Sequence, residues 1–155
     1  MAAVKSLSMG KVQTSITASL PVANLADSAL AMWVAHCESL SPFLFGEVCL
    51  THERTTCSLP VYDNAKFIGY TFLPHTAWSQ GGPLIEKYGV SIYSKLDSMG
   101  WYAHSFSGRG TRMEGRSPLV AAMRSIVATK WGKHVDEQTP SRARTPDPRP
   151  FPSTE

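Results

Sequence analysis

Apolar residues at Ala26, Leu30, Trp33, Cys37 and Leu40 recur at spacings of four, three, four and three, the stripe of an amphipathic helix. Asn24 is placed to cap its start, Asp27 complements the helix dipole in the first turn, and Pro42 stands beyond its end. From residue 45 to residue 73 the period shortens toward two. Val48 and Leu50 alternate with Glu47, Cys49 and Thr51, and Ile68, Tyr70 and Phe72 alternate with Gly69 and Thr71. The pattern predicts an antiparallel meander turning at Asp63-Asn64, with a short further strand over 55–59 before Pro60.

The segment HTAWSQGGPLIEKYG changes character. Gly81-Gly82 predicts a sharp turn, Pro83 suits a first helical position, and Gly89 can close the short helix in a left-handed conformation. Val90, Ile92 and the run WYAHSF at 101–106 then predict two strands joined by SKLDSMG. In the last periodic segment Ser117 caps and Pro118 opens a helix. Leu119, Ala122, Met123, Ile126 and Val127 form its apolar face, and Gly132 can end it. The elements together predict a single α+β domain, a small antiparallel sheet of four or five strands packed with the N-terminal and C-terminal helices, over residues 20–133. Residues 1–19 read as a flexible extension, with Met9 a second candidate start. Residues 134–155 read as a disordered tail, since five prolines in a polar stretch leave little apolar surface to offset ordering entropy.

Composition adds one point. Across 155 residues, 15 basic and 12 acidic side chains leave +3, but residues 107–133 hold six basic residues and one acid. The positive excess therefore sits on one glycine-rich loop, SGRGTRMEGRSP, and the helix that follows it. Residues 110–117 have the form G-x-x-x-x-G-R-S, close to a phosphate-binding loop with arginine in place of lysine. An NTPase is disfavoured, because the compact lysine is missing and Pro118 removes a backbone donor. What remains is an anion or nucleotide site at a helix start, with Arg109, Arg112, Arg116 and Ser117 as contacts, or an ordinary capped helix behind a solvated loop. A second glycine-rich helix entry, with Trp78, Gly81, Gly82 and Glu86, could converge on the same ligand, with Trp78, Trp101 or Tyr102 as a stacking surface.

Cys37, Cys49 and Cys57 make an odd count, which excludes a fully paired disulfide framework and suits a reducing cytoplasm. Cys49, His52 and Cys57, with His36 and Cys37 nearby, match no common zinc spacing, so no metal and no cofactor is expected. His75 and His104 are accompanied by no recognisable nucleophile, which favours a non-enzymatic protein with no catalytic residues. A basic loop also admits nonspecific nucleic-acid contact.

Four stretches, DSALAMWVAH, HTAWSQGGPLIEKYGVSI, GWYA and SPLVAAMRSIVATKWGKHV, resemble the small phage and prophage proteins of the NinX type, a domain of unknown function. The resemblance spans residues 24–135. It is carried most specifically by Trp78, Gly81, Gly82, Pro83 and Glu86, then by Pro118, Leu119, Ala121, Ala122, Arg124 and Lys130, and is weak over residues 42–66. It implies an accessory phage product acting in the bacterial host cytoplasm, with no catalytic residues to carry over. Such a product is expected to bind an anionic small molecule or a host or phage protein, as an inhibitor of a host defence or regulatory protein in the latter case. No membrane association is implied, and the oligomeric state, a homodimer included, is left open.

Overall fold

A computed structural model describes residues 19–106 and 112–136; the N-terminal extension, Arg109 with the glycines on either side of it, and most of the Pro-rich tail lie outside the described residues. The chain divides into two units, Pro21–Val135 and the two end segments Met1–Leu20 with Asp136–Glu155. The fold is α+β with antiparallel sheets. Strands β1 (Ser19–Pro21) and β9 (His134–Asp136) form a two-stranded sheet. Strands β2 (Pro42–Phe45), β3 (Val48–Thr51), β4 (Pro60–Asp63) and β5 (Lys66–Thr71) form a four-stranded sheet, and β6 (Val90–Ser94), β7 (Trp101–Ser105) and β8 (Met113–Gly115) a three-stranded one. Three helices accompany them, α1 (Asp27–Cys37), α2 (Trp78–Lys87) and α3 (Pro118–Trp131).

Helix α3 is the centre of the core. Its predicted boundaries hold: the Ser117 hydroxyl accepts from the Val120 N–H at 3.1 Å, Pro118 opens the first turn, and Gly132 ends the helix with φ +89°. Leu119, Ala122, Met123, Ile126 and Val127 are buried as expected, and Ala121, Ser125 and Ala128 are buried too, because α3 packs on β6, β7 and β8 and also on α1. Helix α1 is covered in the same way. Leu30, Trp33 and Cys37 are buried, but so are Ala31, Met32, Val34 and Ala35, since α1 meets α3 as well as β2 and β3. The predicted single stripe is therefore only part of its buried surface. Asn24 does not cap this helix: it lies in a 3-10 turn, Val22–Asn24, and Ala26 occupies the cap position without a side-chain bond.

The four-stranded sheet has the order β2-β3-β5-β4, so the expected meander is broken by β4 lying outside β5. The hairpin linking them closes through Asn64 and Ala65, both with positive φ, between the paired residues Asp63 and Lys66. Residues 55–59 are not a strand. They form a turn in which the Ser58 hydroxyl accepts from Thr55 N–H at 3.0 Å and donates to Thr55 C=O at 2.8 Å.

Helix α2 begins earlier than Gly81-Gly82 and Pro83 predict, at Trp78, and all three residues lie inside it. Two contacts fix that start. The Gln80 side-chain carbonyl accepts from Leu73 N–H at 2.5 Å while its amide donates to the Thr71 carbonyl at 3.1 Å. A β-carbon on Gly81 would lie 2.4 Å from the Pro74 carbonyl oxygen and 2.6 Å from Leu119 Cδ2, so the missing side chain lets α2 close onto the start of α3. Gly89, with φ +59°, follows the helix as predicted.

Candidate anion-binding groove

The β6–β7 hairpin has the predicted pairing, from Val90 opposite Ser105 to Ser94 opposite Trp101. The sequence did not signal the third strand. Met113–Gly115 pairs with β7, Tyr102 opposite Glu114 and Trp101 opposite Gly115. Gly115 is required there, because a β-carbon would lie 2.4 Å from the backbone nitrogen of Ala121 in α3. Strand periodicity then decides which side chains are presented: Met113 and Gly115 are buried toward α3, while Arg112, Glu114 and Arg116 are exposed.

These residues line a groove of about 370 Å³ together with Lys95, Gly100 and Arg124. Four cations face one carboxylate. Lys95 forms an ion pair with Glu114, and that contact holds the Glu114 carboxyl below the usual carboxylate range. The Lys95 ammonium and the Arg112 guanidinium both lie over the Tyr102 ring, at 4.9 and 4.4 Å from its centroid. Arg124 reaches up from α3, donating through Nε to the Leu25 carbonyl at 2.9 Å and through a terminal nitrogen to the Glu114 carbonyl at 2.8 Å. Burial, and then the neighbouring Arg116 charge, push the Arg124 pKa down. The groove thus holds like charges close together around partly fixed guanidinium groups, and an anion with several oxygens would relieve that repulsion.

The site residues expected from sequence separate into groups. Arg112 and Arg116 line the groove, Trp101 lies on the adjoining strand opposite Gly115, and Ser117 follows directly but uses its oxygen as a helix cap. In the segment close to a phosphate-binding loop, the described residues 112–117 are therefore a strand and a capped helix start, and their cations act from side chains beside the strand. Trp78, 56% exposed, with Gly81, Gly82 and Glu86, belongs to α2 and does not line the groove. The residues around that glycine pair, Gln80 and Pro83, line a separate depression of about 320 Å³ with Glu38, Arg54 and Lys87. Among the described residues, Gly81 packs against the side chain of Leu119, just past the second glycine-rich segment. Arg109 lies outside the described residues. Lys95 escaped the sequence reading because only the hairpin register carries its side chain to Glu114 and Tyr102.

Cys37 and Cys49 are buried and their thiols are pushed up to about 12 by burial, whereas Cys57 is exposed. His52 stacks on Phe43 with ring centroids 4.6 Å apart. Among the described residues no group of three or more His, Cys, Asp or Glu side chains is placed to hold a metal ion, and no helix is long and apolar enough to cross a membrane.

The profile of the family described as Bacteriophage P22, NinX matches residues 21–130, a span that contains every residue of the groove. A search of the curated proteins finds no match.

Proposed function

The chain belongs to the bacteriophage P22 NinX family, and we propose that it is a non-enzymatic accessory protein of the host cytoplasm that binds a phosphate-bearing anion in the groove of Lys95, Arg112, Arg116 and Arg124. One observation carries this reading: Arg124 is held by two backbone carbonyls in the same groove that Arg112 and Arg116 line. Two of the five Arg124 N–H groups are committed to those carbonyls, which fixes the plane of the fork that would meet the ligand. Arg112, lying over Tyr102, is steadied as well. Pre-positioned guanidinium groups lose little rotamer entropy on binding, so phosphate oxygens can be gripped bidentately at low ordering cost. The single carboxylate, Glu114, is already paired with Lys95 and opposes an incoming anion less than a free one would.

A panel of nucleotides and inorganic phosphates in thermal-shift format tests the reading. A ligand that binds only the native state raises the melting temperature, and Arg116→Ala should remove the rise. No response to any phosphate-bearing compound overturns it. A second reading, inhibition of a host protein by direct contact, draws on the exposed apolar side chains of the β6–β7 loop, Leu96 at 97% and Met99 at 103% exposure. A partner captured through apolar contact at Leu96, with Met99 at the rim of the groove, would stay bound as salt rises, whereas one held by the charges of the groove would be released.

A further inference from the structure

The face of the three-stranded sheet that points away from α3 carries a row of aromatic rings continuous with the basic groove. On β7 the alternation is plain: Ala103 and Ser105 are fully buried, while Tyr102, His104 and Phe106 take the other face, with Phe106 74% exposed. Tyr93, on the paired strand opposite Tyr102, is 39% exposed and adds its ring to the same face. Ring centroids are 5.5 Å apart for Tyr93 and Tyr102, 6.0 Å for Tyr93 and His104, and 4.9 Å for His104 and Phe106. From Tyr102 to His104 the row runs about 7 Å along the strand, two steps of roughly 3.3 Å, and Phe106 follows just past its end.

Among the described residues the charge is not spread over this row but gathered at one end of it. Tyr102 is the junction, with Arg112 and Lys95 over its ring, and the groove with Arg116 and Arg124 begins there. A ring covered by two cations offers little room to a base. Among the described residues no cation lies over the rings of Tyr93, His104 or Phe106.

The geometry points to single-stranded nucleic acid as the ligand, its phosphates in the basic groove and two or three bases stacked on Tyr93, His104 and Phe106. This rests on the groove reading above and adds to it the class of the anion. Successive phosphates and unpaired π-faces are the two features this surface would recognise, and neither a free phosphate nor a folded protein supplies both. Because any base has a π-face, binding should depend on single-strandedness and salt far more than on sequence.

The test is fluorescence anisotropy of the full chain with two labelled oligomers of equal length, oligo-dT and its abasic deoxyribose-phosphate counterpart, which carries the same phosphates and no bases. Oligo-dT should bind about 5- to 100-fold tighter than the abasic chain, the size of one or a few base–aromatic stacks. Tyr93→Ala with His104→Ala should bring the oligo-dT affinity most of the way down toward the abasic level, with Phe106 the one stacking ring left. Phe106→Ser, at a site already open to solvent, gives the same comparison with little risk to folding. Equal affinity for the two oligomers overturns the stacking proposal and leaves the groove reading standing. Failure of both oligomers to bind also overturns the nucleic-acid proposal, and the nucleotide and phosphate panel then decides the groove reading separately.

Discussion

The guanidinium group of Arg124 donates to the Glu114 carbonyl at 2.8 Å, so helix α3 holds the strand whose neighbours, Arg112 and Arg116, supply the positive charge of the groove. A second bond to Leu25 ties the same group to the chain just before α1. Arg124→Met keeps much of the buried stem but leaves both carbonyls without this donor. It should destabilise the protein by about 1–3 kcal/mol, because bonds from a charged donor are worth more than neutral ones. Urea unfolding checks it, with a lower midpoint and an unchanged slope expected.

Gly81 and Gly82 are neighbours in α2 and should respond to alanine with opposite signs. At Gly81 the new β-carbon meets backbone at 2.4 Å, which side-chain movement cannot relieve, and overpacking of this kind costs about 1–3 kcal/mol. At Gly82 nothing lies within 4 Å, so Gly82→Ala should stabilise by about 0.5–1 kcal/mol through helix propensity alone. Paired melts of the two variants decide it.

Thiol labelling should follow burial. With Cys37 and Cys49 pushed up to about 12, a thiolate-specific reagent at pH 8 should consume one equivalent in the native protein, at Cys57, and three in denaturant. Cys57→Ser should reduce native labelling to near zero.

Stability should fall as the solution is acidified through the histidine range. Burial lowers the pKa of His36 and of His75 below the ordinary value near 6.5, so between 6.5 and the lowered native values the unfolded chain binds more protons than the folded one. Stability from these two groups is therefore full above about pH 6.5 and is lost as pH drops through that window. His36→Leu and His75→Leu should each flatten the pH dependence of the urea midpoint between pH 7.5 and 5.

Much of the architecture could be read from local signals. Ser117, Pro118 and Gly132 bound α3 as their chemistry dictates, and Val90, Ile92 and the run WYAHSF located the β6–β7 hairpin. What escaped depends on contacts distant in sequence. Gly81 looked like turn punctuation, yet its role is set by Pro74 and Leu119. Strand β8 is three residues long, too short to show a period, and exists through its pairing with β7. The single stripe in α1 gave no sign that a second layer would bury Ala31 and Val34 as well. In the groove, the clustering of Arg112 and Arg116 was visible as charge. Lys95 and the clamping bonds of Arg124 were not, because each needs the hairpin register or a partner far along the chain.

Whether the guanidinium groups around β8 hold a phosphate-bearing ligand can be read from arginine side-chain NMR during a pyrophosphate titration. The Nε–H resonances of Arg112, Arg116 and Arg124 should shift together and saturate, with Arg54, which lies in the other depression, unmoved. Arg116→Ala should abolish the saturable shifts of the other two. Small unsaturable shifts spread evenly over all arginines, the same in the variant as in the natural protein, would contradict the account.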